Sequence, residues 1–403
     1  MGQPLDGIRV VDLTHYLSGP FCTKLLADHG ADVIKVERPG LGDGARRMAP
    51  FSGDRPDPEN SGLFQYLNTS KRGITLNLKS AGGRRILQDL LSTAQVLVES
   101  YSPRVMPGLG LAFDTIHQLY PALVMTSISS FGQTGPYRDF RATELMEYAM
   151  GGPMYVTGDA SREPVKIGDG VVQFQAGAAA ALATMISLYG AELTGTGEHI
   201  DISIMETQAG NIDRRSLTLL SYQYTGDVSR RLPAGLRMAA GAFPTRDGYV
   251  ELDATTPIAI ANIPEIIERP ELARDPRFAD YEARARPENT EAINAYILQW
   301  LEGQAKQDVW QKAQGGRVMA GPINTSEDLL KDPHFHQRGF WTYIERQAAC
   351  GLVHPGTPIS MSESPGMVSR AAPALGQHNR EILSGYLGYS RSDLAKLRET
   401  GVI

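Results

Sequence analysis

Residues 163–190 read EPVKIGDGVVQFQAGAAAALATMISLYG, and this stretch decides the fold. A short β-branched run, Val165-Lys166-Ile167, passes through Gly168-Asp169-Gly170 into small and aliphatic residues from Ala176 to Leu188. Ala, Leu and Met favour helix, and side chains this small let backbones approach closely. The pattern predicts a buried helix over about 174–189. The first turn of such a helix carries unsatisfied N–H groups and the positive end of the helix dipole. A carboxylate or an anionic intermediate would be stabilised there. Two residues are placed to face that site: Asp169, just upstream, and Gln173, at the entrance.

Before this helix the chain alternates strands and helices. Residues 7–13 (GIRVVDL) read as a buried strand, 21–29 as a helix closed by Gly30, and 32–37 (DVIKVE) as a second strand. Strand, helix and strand in about 30 residues form a βαβ unit, which requires a parallel sheet. Further strands are predicted at 71–79, 94–99 and 122–129, with an amphipathic helix over 80–91. After the organising helix, HIDIS (199–203) adds a strand and 205–222 a long helix. The run GLGDGA at 40–45 fits the spacing of a dinucleotide-binding turn. It follows the second strand rather than the first and leads into a loop, so it is not read as one.

The composition changes near Tyr224. Residues 224–241 read as a basic linker, 242–254 as a hairpin turning at Asp247-Gly248, and 290–302 and 307–314 as helices. A second linker is predicted to begin near Gly315, and from about Gln337 the chain returns to strands and ends in a polar helix. The expected organisation is α/β. A large domain (1–223) is followed by the 224–241 linker and a small α+β domain (242–320); residues 321–403 hold a linker and the return to the large domain.

The 403 residues allow a large core, and 42% hydrophobic with 21% charged residues is ordinary for a globular chain. A net charge of −6 gives no support to a nucleic-acid partner. No apolar run reads as a membrane span and no signal peptide is visible, so the expected location is the cytoplasm. Two cysteines, Cys22 and Cys350, form no CxxC or Cys/His cluster, so no metal site is expected.

Several stretches combine into a resemblance. The opening PLDGIRVVDLTHYLSGPFCTKLLADHGADVIKVERPGLGD resembles the family III CoA-transferases, as do NTSKRGITLNLKS, VLVESYSP, SISSFGQTGPY, ELTGTGEHIDISIME and APALGQHNREIL. Together they run from residue 4 to about residue 385, in family order. The resemblance implies a Rossmann-like large domain built from both chain ends, an inserted small domain, and two subunits threaded together as an interlocked dimer. It implies coenzyme A or an acyl-CoA as substrate, exchanged with a small carboxylic acid. By match to the family's motifs, CoA contacts fall on His15, Tyr16, Leu17, Arg38, Leu76, Lys79, Ser100, Tyr101 and Arg141. Phosphates need guanidinium or ammonium partners and adenine needs an apolar slot, so these residue types suit the ligand.

One position departs from the family. Its mechanism, by resemblance, begins with an Asp carboxylate attacking the acyl-CoA thioester to give a mixed anhydride. That Asp lies four residues before a helix glycine. Here the glycine is Gly177 and the fourth residue before it is Gln173. Either Asp169 reaches the site from one turn upstream, or the nucleophile is absent. The second reading makes this chain the partner of a homologous subunit that bears the Asp. The first makes it a self-sufficient homodimeric transferase, and a third is a non-catalytic CoA-binding protein. A related racemase places a His-Asp pair where this chain has Ala142-Thr143-Glu144, which leaves Glu144 to act on substrate or to hold a loop. Arg230, Arg231 and Arg237 of the first linker are candidates to meet a dicarboxylate, or plain exposed charge.

Overall fold

The computed structural model describes residues 2–211, 215–231, 239–284, 286–346 and 349–403. The chain divides into two compact units, Met1–Arg231 with Gly339–Ile403, and Leu232–Arg338. The first is built on six strands: β1 (Arg9–Leu13), β2 (Asp32–Glu37), β3 (Arg72–Thr75), β4 (Val96–Glu99), β5 (Val124–Ser129) and β6 (His199–Ser203). They are hydrogen-bonded in the order β3-β2-β1-β4-β5-β6, and every pairing is parallel. The order reverses between β1 and β4. In an open parallel sheet such a switch point leaves a crevice at the carboxyl ends of the strands.

The strands are apolar on both faces because helices cover both. On one face Val11, Leu13 and Ile34 pack with Ile86 and Leu90 of α2 (Ala81–Leu91). On the other, Val10, Val33 and Val98 meet Leu26 of α1 (Ser18–Asp28) and Ala176 and Ala180 of α4 (Val171–Thr194). Helix α3 (Glu144–Met150) lies between β5 and α4 in the chain. The C-terminal segment closes the β3 edge. Gly73 N–H donates to His378 Nδ1 at 3.0 Å, Thr75 N–H to Asn379 Oδ1 at 2.9 Å, and Arg72 to Glu381 Oε1 at 2.8 Å. The HNRE part of the last motif thus satisfies an edge strand that would otherwise be open.

The second unit is a three-stranded antiparallel sheet, β7 (Ala240–Thr245), β8 (Gly248–Asp253) and β9 (Met319–Pro322), in that order. Its core joins Phe243 and Val250 to Ile263, Ile297, Leu301 and Val309 of the flanking helices.

Several expectations are corrected. The second linker is not one: β9 pairs with β8, and Ser326–Lys331 is a helix with a capping box at Thr325. The long helix over 205–222 is broken into Ile204–Glu206, a wide turn at Thr207–Asn211, and Arg215–Thr225; residues 212–214 lie outside the description. Val165-Lys166-Ile167 forms no strand, and α4 is longer than expected at both ends. Its 24 residues are, by length and composition, apolar enough to cross a membrane, against the sequence expectation. One side of α4, including Ala176, Ala180, Thr184 and Leu188, is nevertheless buried in the chain. Arg237 and residues 232–238 of the first linker lie outside the described residues, as does the side chain of Cys350.

Gly177 explains why α4 lies so close to α1. A Cβ at this position would sit on the Ser18 carbonyl oxygen and 3.2 Å from Phe21 Cβ. The backbone of α1 cannot move aside, because Pro20 and Cys22 are themselves buried. Gly177→Ala is expected to lower stability by about 1–3 kcal/mol, because overpacking outweighs the helix preference of Ala. Chemical denaturation checks this, and an unchanged or higher midpoint contradicts it.

Candidate active site

The loop after β1 is fixed by buried charge. Asp12 is fully buried and accepts from Thr14 N–H at 2.8 Å, Thr23 Oγ1 at 2.7 Å and Lys71 Nζ at 3.1 Å. Lys35, also fully buried, donates to the Thr14 carbonyl at 2.9 Å and pairs with Asp43 at 2.9 Å. Asp43 in turn accepts from Tyr16 N–H and Ala45 N–H, both at 2.9 Å. Burial alone would raise the Asp12 and Asp43 carboxyls; the lysines overcome it and hold both below the usual range. Burial and Lys35 together push Lys71 down to about 8, against the pull of Asp12. The GLGDG run therefore does its work through Asp43, which holds the loop after β1 rather than a pyrophosphate.

The residues expected to contact CoA lie at or just beyond the carboxyl ends of β1 to β4, except Arg141, which lies in the segment between β5 and α3. His15 N–H donates to Ser100 Oγ at 2.9 Å, and the His15 and Tyr101 rings lie 5.1 Å apart, so the loops after β1 and β4 meet across the switch point. Tyr16 is exposed, with a left-handed φ of 65°. Arg38, Lys79 and Arg141 are exposed, and their side chains have no ion pair among the described residues. Leu76 is buried in the core beneath β3, so its side chain faces away from solvent. Leu17 abuts the start of α4: a Cβ on Gly170 would be 2.8 Å from Leu17 Cδ1. Gly170 also needs its φ of 79° to cap that helix.

The start of α4 is the other half of the site. The helix begins at Val171, so Gln173 stands in its first turn. The anion that this turn favours comes from the chain itself. Glu144 Oε1 accepts from Val172 N–H at 3.1 Å and lies 3.4 Å from Lys166 Nζ. Gln173 Nε2 donates to Glu147 Oε2 at 2.6 Å. Glu147 is buried; burial, reinforced by Glu144, raises its carboxyl above the ordinary range against the lowering effect of Ser130 and Gln173. Asp169 is exposed, with φ 51°, just ahead of the cap. The structure thus brings Gln173, Glu144, Glu147 and Leu17 together and leaves Asp169 on the surface loop. Arg231 is engaged with the carbonyls of Tyr155, Asp159 and Arg162 at 2.8–3.1 Å, which ties the linker to that loop. Glu147 and Asp43 were missed in the sequence. A glutamate one helical turn after Glu144 was the available signal for the first.

Glu99 ends β4 beneath these loops, with its carboxylate accepting Tyr101 N–H at 2.7 Å. Burial pushes it from 4.5 up to about 7. Its raised folded value favours folding fully below the ordinary 4.5, and that contribution is lost as the pH rises through about 7. Glu99→Gln is expected to show a shallower loss of stability between about pH 5 and about pH 8 than the parent chain. Urea unfolding at both values measures it, and an undiminished loss contradicts it.

The profile of CoA-transferase family III matches residues 5–379. The chain is 34% identical over 414 aligned positions to succinyl-CoA–D-citramalate CoA-transferase of Chloroflexus aurantiacus, covering 100% of this chain and 98% of that one. It is 31% identical to the succinyl-CoA:(R)-benzylsuccinate CoA-transferase subunit BbsE of Thauera aromatica, covering 98% of each. A crystal structure of a CAIB/BAIF family protein from Brucella suis superposes with a TM-score of 0.85 at 29% identity, over 96% of this chain and 100% of that one.

Proposed function

This chain belongs to CoA-transferase family III, and from that premise we propose that it is the subunit without a nucleophile in a hetero-oligomeric acyl-CoA:carboxylate CoA-transferase. The observation that carries this is Gln173. It stands four residues before Gly177, in the first turn of α4, with its amide donated to Glu147. An amide nitrogen shares its lone pair with the carbonyl and does not attack a thioester, whereas a carboxylate can, because thiolate is a good leaving group. A homologous subunit bearing the Asp would supply the attack. The Thauera aromatica relative is itself named as a subunit.

In this reading, the loops after β1 and β4 retain CoA binding. Arg38 and Lys79, beyond strand ends, and Arg141, just before α3, are exposed cations suited to its phosphates. The partner docks on the apolar outer face of α4. Leu182, Ile186, Tyr189 and Leu193 recur there at helical spacing and are 64–69% exposed. Leu145, Met146 and Met150 of α3 add exposed apolar surface beside the Gln173–Glu147 pair. A contiguous apolar face of this kind marks an interaction surface, and a homologous chain in an interlocked dimer is the occupant proposed here.

The purified chain is expected to form no covalent acyl intermediate. It is incubated with succinyl-CoA, trapped with hydroxylamine and read by peptide mass spectrometry. A hydroxamate at Asp169 would overturn the proposal in favour of a homodimeric transferase. Binding of acyl-CoA without turnover in any pairing with an Asp-bearing homologue would reduce the chain to a CoA-binding protein.

A further inference from the structure

The reading above gives Glu147 no role beyond accepting from Gln173. We propose that Glu147 is a positioning residue that fixes the Gln173 amide and makes position 173 incompatible with an ionised carboxylate, so that two residues, not one, withdraw this chain from nucleophilic catalysis. The inference rests on the reading of Gln173 as the nucleophile's position.

Three observations support it. The first is donor and acceptor matching. An ionised carboxylate only accepts, and Gln173 offers it an N–H at 2.6 Å. An aspartate at 173 would offer only acceptors to an acceptor. The second is charge. Glu147 is 2% exposed and no salt bridge reaches it among the described residues. The nearby charged groups are Glu144, which repels it, and Lys166, which lies against Glu144 instead. A second carboxylate here has no cation to offset it, and two carboxylates at one site do not both ionise. The third is mutual dependence. A buried carboxylate is costly unless donors satisfy it, and Gln173 donates to Glu147 at 2.6 Å. Exchanging the two groups, with Asp at 173 and Gln at 147, reverses the pair and restores the match.

The test compares Gln173→Asp, the double variant Gln173→Asp with Glu147→Gln, and Glu147→Gln alone, all in the full chain. Each is incubated with succinyl-CoA, trapped with hydroxylamine and read at residue 173. The double variant is expected to give about tenfold or more adduct relative to Gln173→Asp alone at neutral pH. Equal adduct in the two overturns the proposal. Isotope-edited infrared titration of the carboxyl introduced at 173 gives a readout independent of acyl transfer. Its midpoint is expected to be lower in the double variant. If neither variant forms adduct, equal midpoints overturn the role of Glu147. Separated midpoints uphold that role and place the failure on the reading of position 173. If Gln173→Asp alone does not fold, recovery of a folded chain by Glu147→Gln supports the pairing, and no recovery overturns it.

Discussion

Burying four charges under the sheet's carboxyl edge is the constraint on which the large unit depends. Asp12, Lys35, Asp43 and Lys71 are each fully enclosed, two of each sign. Removing one partner would strand its neighbour without water, a loss of about 3–5 kcal/mol for a buried pair. Hydrophobic residues of similar size could fill the same volume, so burial alone does not explain them. Their hydrogen bonds do. Asp12 and Lys35 grip the backbone at Thr14, and Asp43 grips Tyr16 N–H. The loop after β1 is thereby held in one shape, including the left-handed backbone at Tyr16.

That loop sets the rest of the site. It carries His15 to Ser100 at the switch point, and Leu17 to the cap of α4. Gly177 then lets α4 press onto α1, with its first turn beside the loop. The favourable field at that end of α4 is met by Glu144 of α3, and Glu147 lies one turn further along α3. In the function proposed above, Gln173 stands where the family's chemistry begins, and its neutral amide donates to the second carboxylate. The chain thus keeps the framework of a family III CoA-transferase, with a hydrogen-bond donor in the first turn of α4.

Much of the framework was legible in the sequence. The run 32–37 is β2 as observed, and HIDIS is β6, because β-branched runs bounded by turn residues have few alternatives. Helix α4 was placed by its small residues, but its start was misjudged by three positions. Gly170 caps it in a left-handed conformation that the sequence reads only as another glycine. Strand β9 escaped notice because MAGP has neither alternation nor β-branched residues; its place comes from pairing with β8. Gln173 stands out in the sequence because the resemblance implies an Asp four residues before Gly177. Its partner was not legible, since Glu147 is 26 residues away and only the packing of α3 on α4 brings them together. The Asp43 carboxylate was hidden for the same reason, inside a run that looks like a phosphate-binding turn.

In the function proposed above, catalysis by this chain requires a different one. Native mass spectrometry of the complex as isolated from its source tests it most directly. The account predicts a species holding this chain and a homologous chain with Asp four residues before the helix glycine, in equal numbers, and turnover only in that species. An assembly containing this chain alone that carries out multiple-turnover CoA transfer would contradict it.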